Sequence, residues 1–290
     1  MDCGTVLSCV SVQKLSVLIA VFVVFSSGLL IAYQAEASGS SNESVKIMPL
    51  GDSITYGYTK FLNGTVDPDP AGYRQELWVD LNNSGYNVDF VGSLSSGDSK
   101  SPPYFDTDHE GHGGRTASWI NSQLNGYLNT SAPDIVLYHI GTNSLYDDDV
   151  IQAALDANES LRIIYAYDPD VTVFLAKIIL TTDSAQNNRT RSYNLLLEEH
   201  AGYWSDNGYS IVVVDMETAL TPAVYPEGDF ISDGLHPNAN GYAKMADVWY
   251  NGLSSFVGPP PIPEFVPIVI IISVLAFLTV VIVISRKKGF

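Results

Sequence analysis

Between residues 45 and 215, short runs of continuously apolar residues alternate with stretches whose apolar positions recur at helical spacing, and this alternation restricts the fold more than any other feature. The runs are 45–50, 88–92, 134–140, 171–179 and 210–215. A strand that is apolar throughout, rather than at every second position, is buried on both faces. A helix between two strands is the crossover that a parallel pair needs. Helical spacing covers 73–81, 117–128, 149–165, 189–207 and 241–253. The expectation is an α/β fold, three-layered, with a parallel sheet of about five strands in a single domain over residues 38–257. Ligands of such sheets sit at the carboxyl ends of the strands, so polar residues just after each run are the ones to weigh.

Both ends of the chain read as membrane elements. Lys14 precedes an apolar run over 15–32, and Ala35-Glu36-Ala37 forms a small-residue site, the pattern of a signal peptide over 1–37 cleaved after Ala37. Residues 265–284 carry no charge and, as a helix, would rise about 30 Å, the thickness of the hydrocarbon core. Arg286, Lys287 and Lys288 follow in a basic tail over 285–290, which orients the preceding domain outward. Residues 258–264 are a stiff Pro-rich linker. The expected location is the extracellular face of the cell membrane.

Charge and cysteine narrow the function classes. With 14 basic and 32 acidic residues, the net charge of −18 repels phosphate backbones and argues against a nucleic-acid partner. The only cysteines, Cys3 and Cys9, lie in the signal region, so the domain is expected to hold no disulfide or cysteine metal site. Six Asn-X-Ser/Thr sequons, at Asn42, Asn63, Asn82, Asn129, Asn158 and Asn188, fit an extracellular surface.

Four segments carry chemistry. Gly51-Asp52-Ser53 follows the first run and puts a serine at the start of a helix; alone it reads rather as a turn with a capping serine. Segment 109–116 contains Gly114, whose backbone amide can approach a reacting oxygen closely. Asn143 follows the third run and can offer its side-chain amide to the same oxygen. Asp233 stands three residues before His236, where a carboxylate can hold one ring nitrogen while the other takes a proton from a serine. His109 and His112 either contact substrate or hold their loop, and Arg74 with Glu110 either clamp substrate or form a buried ion pair supporting the site, the structural role being the commoner in each case.

Together, in this order, Ser53, Gly114, Asn143 and His236 resemble the four marker residues of the SGNH, or GDSL-type, hydrolases, with Asp233 completing a triad. The resemblance implies a flavodoxin-like α/β/α fold and a serine esterase in which the Ser53 and Gly114 amides and the Asn143 side chain form the oxyanion hole. Segments 46–53, 72–74, 88–93, 109–112 and 233–236, with Gly241-Tyr242, resemble the small acetyl xylan esterases among the carbohydrate esterases. That implies an O-acetylated carbohydrate substrate, with no cofactor and no metal. Ser144 departs from the family's third block, where an Asp is usual. Pro263-Glu264-Phe265, with the apolar span and basic tail, resembles the PEF-type sorting signals of archaeal surface proteins and implies a sortase-like processing enzyme as a partner. The rival readings are a lipase or thioesterase of the same fold, a catalytically inactive carbohydrate-binding surface protein, and a purely structural surface anchor.

Overall fold

The computed structural model describes residues 43–254 and 256, apart from 101 and 148. The expected signal peptide (1–37), linker (258–264), membrane span (265–284), basic tail (285–290) and Pro263-Glu264-Phe265 sorting tripeptide lie outside the described residues. Among the described residues no helix is long and apolar enough to cross a membrane.

The elements follow in the order β1 (Val45–Gly51), α1 (Ser53–Tyr56), α2 (Tyr73–Asn83), β2 (Val88–Phe90), β3 (Leu94–Ser95), β4 (Asp108–Gly111), α3 (Ala117–Ser131), β5 (Ile135–His139), a 3-10 turn (Ser144–Asp147), α4 (Val150–Tyr167), β6 (Thr172–Lys177), α5 (Ser184–Asp206), β7 (Ile211–Asp215) and α6 (Ala239–Leu253). Side-chain caps set several helix starts. Thr116, Asp149, Asp183 and Asn238 each accept a backbone N–H from the first turn of α3, α4, α5 and α6. The Asp183 cap starts α5 at Ser184 rather than near 189, through a first turn too polar to show helical spacing.

The sheet has seven strands, not about five, in the order β3-β4-β1-β5-β6-β7, with β2 also paired to β1. It is parallel except where β3 runs against β4. The two strands that apolar runs could not reveal are β3, only two residues long, and β4, whose sequence is Asp108-His109-Glu110-Gly111. His109 and Glu110 are nevertheless fully buried, because their polar atoms are satisfied by other side chains and backbone amides.

Successive residues of the central strands face opposite layers. Met48, Leu50, Val136, Tyr138, Val173 and Leu175 pack with α3, α4 and α5 in one core. Ile47, Ile135, Leu137 and Phe174 pack with α2 and α6 in the other. The result is the three-layer α/β/α arrangement. At its centre Gly51 of β1 pairs with Gly111 of β4 on one side and His139 of β5 on the other. That register brings the segments after β4, β1 and β5 side by side at the carboxyl edge of the sheet.

Candidate active site

Gly51 ends β1 where there is no room for a side chain: a Cβ would overlap the His139 carbonyl and the Thr55 hydroxyl. The chain then turns at once into α1. Asp52 caps this short helix, its Oδ1 accepting the Ile54 N–H at 3.0 Å. Ser53 therefore stands at the first position of α1, held from below by a buried strand end. Asp52 itself is fully buried, and its Oδ2 lies beside the Thr142 hydroxyl with neither atom in hydrogen-bond geometry. Burial pushes its carboxyl up to about 6, while the Ile54 amide and the nearby His236 hold it from rising further.

Ser53 Oγ lies 2.8 Å from His236 Nε2, and His236 Nδ1 lies 2.9 Å from Asp233 Oδ2. The other Asp233 oxygen accepts the backbone N–H groups of Leu235 and His236 at 2.9 and 3.0 Å. Partial burial pushes the Asp233 carboxyl up, but the His236 ring and these two amides outweigh it and hold it down at about 2. Asp233 is thus an anion at neutral pH, and with Nδ1–H donated to it, His236 Nε2 is free to accept the Ser53 proton. The ring is wedged against Tyr58, 4.6 Å between centroids. The loop that carries the pair turns at Gly234, whose φ of +69° suits glycine and whose backbone O accepts the Thr182 N–H at 2.9 Å.

Asn143 and Gly114 meet through Arg115. The Asn143 side-chain amide donates one of its two hydrogens to the Arg115 carbonyl at 3.0 Å, leaving the second uncommitted. Gly114 has φ of +73° and opens on empty space, with no atom within 4 Å of where a Cβ would be. Ser144, in place of the expected Asp, accepts the Ala117 N–H at 3.4 Å, tying the start of α3 to the turn after β5. The arrangement is one that can supply a nucleophile at Ser53, a base at His236 with Asp233 as its orienting anion, and donors on the loops that flank Ser53.

The supporting residues differ in part from expectation. Arg74 and Glu110 form no ion pair with each other. The fully buried Arg74 guanidinium instead donates to the carbonyls of Thr55, Tyr56, Pro70, Ser96 and Thr107 and to the Ser96 hydroxyl, at 2.9–3.3 Å. Two of those carbonyls belong to α1, so Arg74 braces the helix that presents Ser53. Burial lowers its pKa to about 10, which leaves it charged at neutral pH. Glu110 accepts from the Ser93 amide and hydroxyl, both at 2.7 Å, and bonds His112 Nε2 at 2.6 Å. His109 is buried against Ser96 and the Gly111 amide, and burial drives its pKa to about 2, so it stays neutral. Both loop histidines therefore hold the loop. Tyr58 and the capping role of Asp52 are functional features that the sequence motifs did not single out. Asp52 could have been found, since Asp two residues before a backbone N–H is a common helix-start signal.

A model of the GDSL-like lipase/acylhydrolase family matches residues 47–249. The chain is 32% identical over 249 residues to a multidomain esterase of Ruminococcus flavefaciens, covering 75% of this chain and 29% of that protein, so it spans less than a third of that relative. Among solved structures, a family 3 carbohydrate esterase of Clostridium thermocellum is similar with a TM-score of 0.61 and 31% identity, covering 74% of this chain and 98% of the other. An acetyl esterase mutant with acetate ion is similar with a TM-score of 0.61 and 27% identity, covering 73% and 98%.

Proposed function

The chain belongs to the GDSL-like lipase/acylhydrolase family of carboxylic ester hydrolases, and from that premise we propose that it is a serine esterase removing O-acetyl groups from carbohydrate at the outer face of the cell membrane. The observation that carries this reading is the unbroken hydrogen-bonded chain Ser53 Oγ–His236 Nε2, His236 Nδ1–Asp233 Oδ2. The acetyl preference is supported by the similarity to a family 3 carbohydrate esterase and to an acetyl esterase. Secretion and tethering are supported by the sequence pattern of residues 1–37 and 265–290, with 38–257 as the catalytic domain and processing near Pro263-Glu264-Phe265 by a sortase-like enzyme.

In the proposed reaction His236 Nε2 takes the Ser53 proton as Oγ attacks the ester carbonyl carbon. The carbonyl π pair moves onto oxygen, and the oxyanion is held by the Ser53 and Gly114 amides and the Asn143 side chain. Each such donor is worth about 3 kcal/mol of barrier. Asp233 stabilises the imidazolium throughout. The intermediate collapses, the C–O bond to the sugar breaks, and His236 returns its proton to the leaving alkoxide. Water, deprotonated by His236, then hydrolyses the acyl-serine by the same steps, releasing acetate and restoring Ser53.

The test is turnover of p-nitrophenyl acetate, butyrate and octanoate by the full chain and by its Ser53→Ala variant. The expected outcome is acetate preference that Ser53→Ala abolishes. Octanoate preference would move the reading to a lipase or thioesterase, and turnover indifferent to Ser53→Ala would sink the mechanism.

A further inference from the structure

A cavity of about 620 Å³ lies beside the loop that carries Asp233 and His236. Ile231, Ser232 and Asn238, which flank that pair in sequence, form part of its wall. So do the first residues of α2 and α6. In a parallel α/β fold helices start at the edge where strands end, so the cavity opens on the same edge of the sheet as Ser53. Its outer wall is a hairpin over 59–67, closed by bonds between Phe61 N and Thr65 O at 2.9 Å and between Asp67 N and Thr59 O at 3.1 Å. Two further bonds fasten the hairpin to the body: Thr59 Oγ1 to the Pro237 carbonyl at 3.2 Å, and Tyr242 Oη to the Tyr58 carbonyl at 2.8 Å. The wall is thus built in advance and anchored next to His236.

Its rim is unusual for this chain. Phe61, Leu62 and Tyr225 line the cavity and are 49%, 87% and 52% exposed. Three large apolar side chains left open around one cleft mark a contact surface. The lining also presents Asn240 and the Lys100–Asp67 ion pair of 2.6 Å, with Lys100 Nζ 5.9 Å from the Phe61 ring centre. A hydrocarbon tail would strip water from these groups without replacing its hydrogen bonds. A sugar matches both halves, its C–H faces lying on the aromatic rings and its hydroxyls reaching the Asn240 amide and the charged pair.

The chemistry of the site fixes which part of the substrate belongs there. His236 must hand its proton to the departing alkoxide, so the alcohol part of the ester lies on the His236 side. We propose that this cleft holds the sugar chain of the acylated glycan, on the leaving-group side of the scissile bond, while the acyl group points away from it. The proposal rests on the esterase reading above. The volume is that of pockets taking drug-sized ligands and far exceeds what an acetyl group fills, so the cleft is a site for carbohydrate beyond the acylated position.

The experiment replaces the two exposed rings together, Phe61→Ala with Tyr225→Ala, in the full chain, and measures kcat/KM on acetylated xylan oligosaccharides, p-nitrophenyl acetate and p-nitrophenyl octanoate. The expected result is that the ratio of oligosaccharide to p-nitrophenyl acetate activity falls about tenfold, chiefly through KM. An unchanged ratio overturns the proposal, and so does a selective loss on octanoate, which would assign the cleft to an acyl chain. Ser53→Ala is assayed on the same esters. If it keeps its turnover, the esterase reading and the cleft fall together; if it is inactive and the ratio is unchanged, the cleft alone falls.

Discussion

Ser53 and His236 are 2.8 Å apart, yet the two sides of that bond are held by different means. Ser53 rides on the buried end of a central strand, with Gly51 flush against β5, Asp52 capping α1 from inside and Arg74 gathering the α1 carbonyls. His236 and Asp233 ride on the segment between β7 and α6, where Asp233 keeps 30% of its side-chain exposure and the turn is set by Gly234 against Thr182. One side is fixed by backbone register, and the other by a few side-chain and loop contacts. Substitutions on the first side should therefore register as lost stability, and on the second as lost rate.

The contrast must vanish at the chemistry itself. Ser53→Ala and His236→Ala are each expected to lower kcat by about 10⁶-fold, and the double variant to be no worse than either. Additive losses would show that the two groups do not act as one unit. Next in size is Gly51→Ala. Its Cβ meets the His139 backbone, which cannot rotate away, so unfolding should become easier by about 3 kcal/mol in urea titrations.

Asp52→Asn sharpens the comparison through pH. The folded-state pKa of Asp52 is raised, so between about pH 4 and pH 6 the folded protein keeps a proton that the unfolded chain has lost. Stability attributable to this group falls as pH rises through that window, by at most about 3 kcal/mol. The variant should therefore gain stability relative to the parent from pH 4 to pH 7, read as diverging urea midpoints; parallel midpoints would refute buried titration at Asp52.

On the other side, Gly234→Ala costs about 1–2 kcal/mol for its positive φ, because the overlapping Thr182 hydroxyl can rotate. The shifted loop should nevertheless lower kcat about tenfold. If Gly234→Ala lost as much stability as Gly51→Ala and no rate, the distinction drawn above would be wrong. The smallest effect expected is that of Lys244→Met, which removes the partner of Asp229 at 2.6 Å. Lys244 is 44% exposed and the buried Asp229 keeps the Thr221 amide as a donor, so the loss should stay at about 1 kcal/mol in the same urea titration.

The same division governs what could be read from the sequence. The strand ends bearing Gly51, Asp52, Ser53 and Asn143 announce themselves, because an apolar run stops and polar residues follow at once. Asp233 and His236 are legible through their local spacing. Arg74 is not: a guanidinium satisfied by carbonyls of segments far apart in sequence leaves no local pattern, and a nearby carboxylate such as Glu110 looks the more natural partner. β4 escapes for a related reason, since a buried strand reading Asp-His-Glu-Gly contradicts the apolar signal until its tertiary hydrogen bonds are known. The hairpin over 59–67 looks like any polar loop around an Asn-Gly turn, and only its fastening to Pro237 and Tyr242 sets it beside His236.

The bond between Ser53 and His236 spans 183 positions of sequence. On a ribosome, the first strand and its serine are extruded long before the imidazole exists. Until residue 236 has emerged and the final helix has docked, the hydroxyl lacks the base proposed for it and is as unreactive as any other serine. Under the proposed mechanism, a nascent chain, or one cut short anywhere before that loop, hydrolyses no ester, and activity begins only when the last part of the fold is in place.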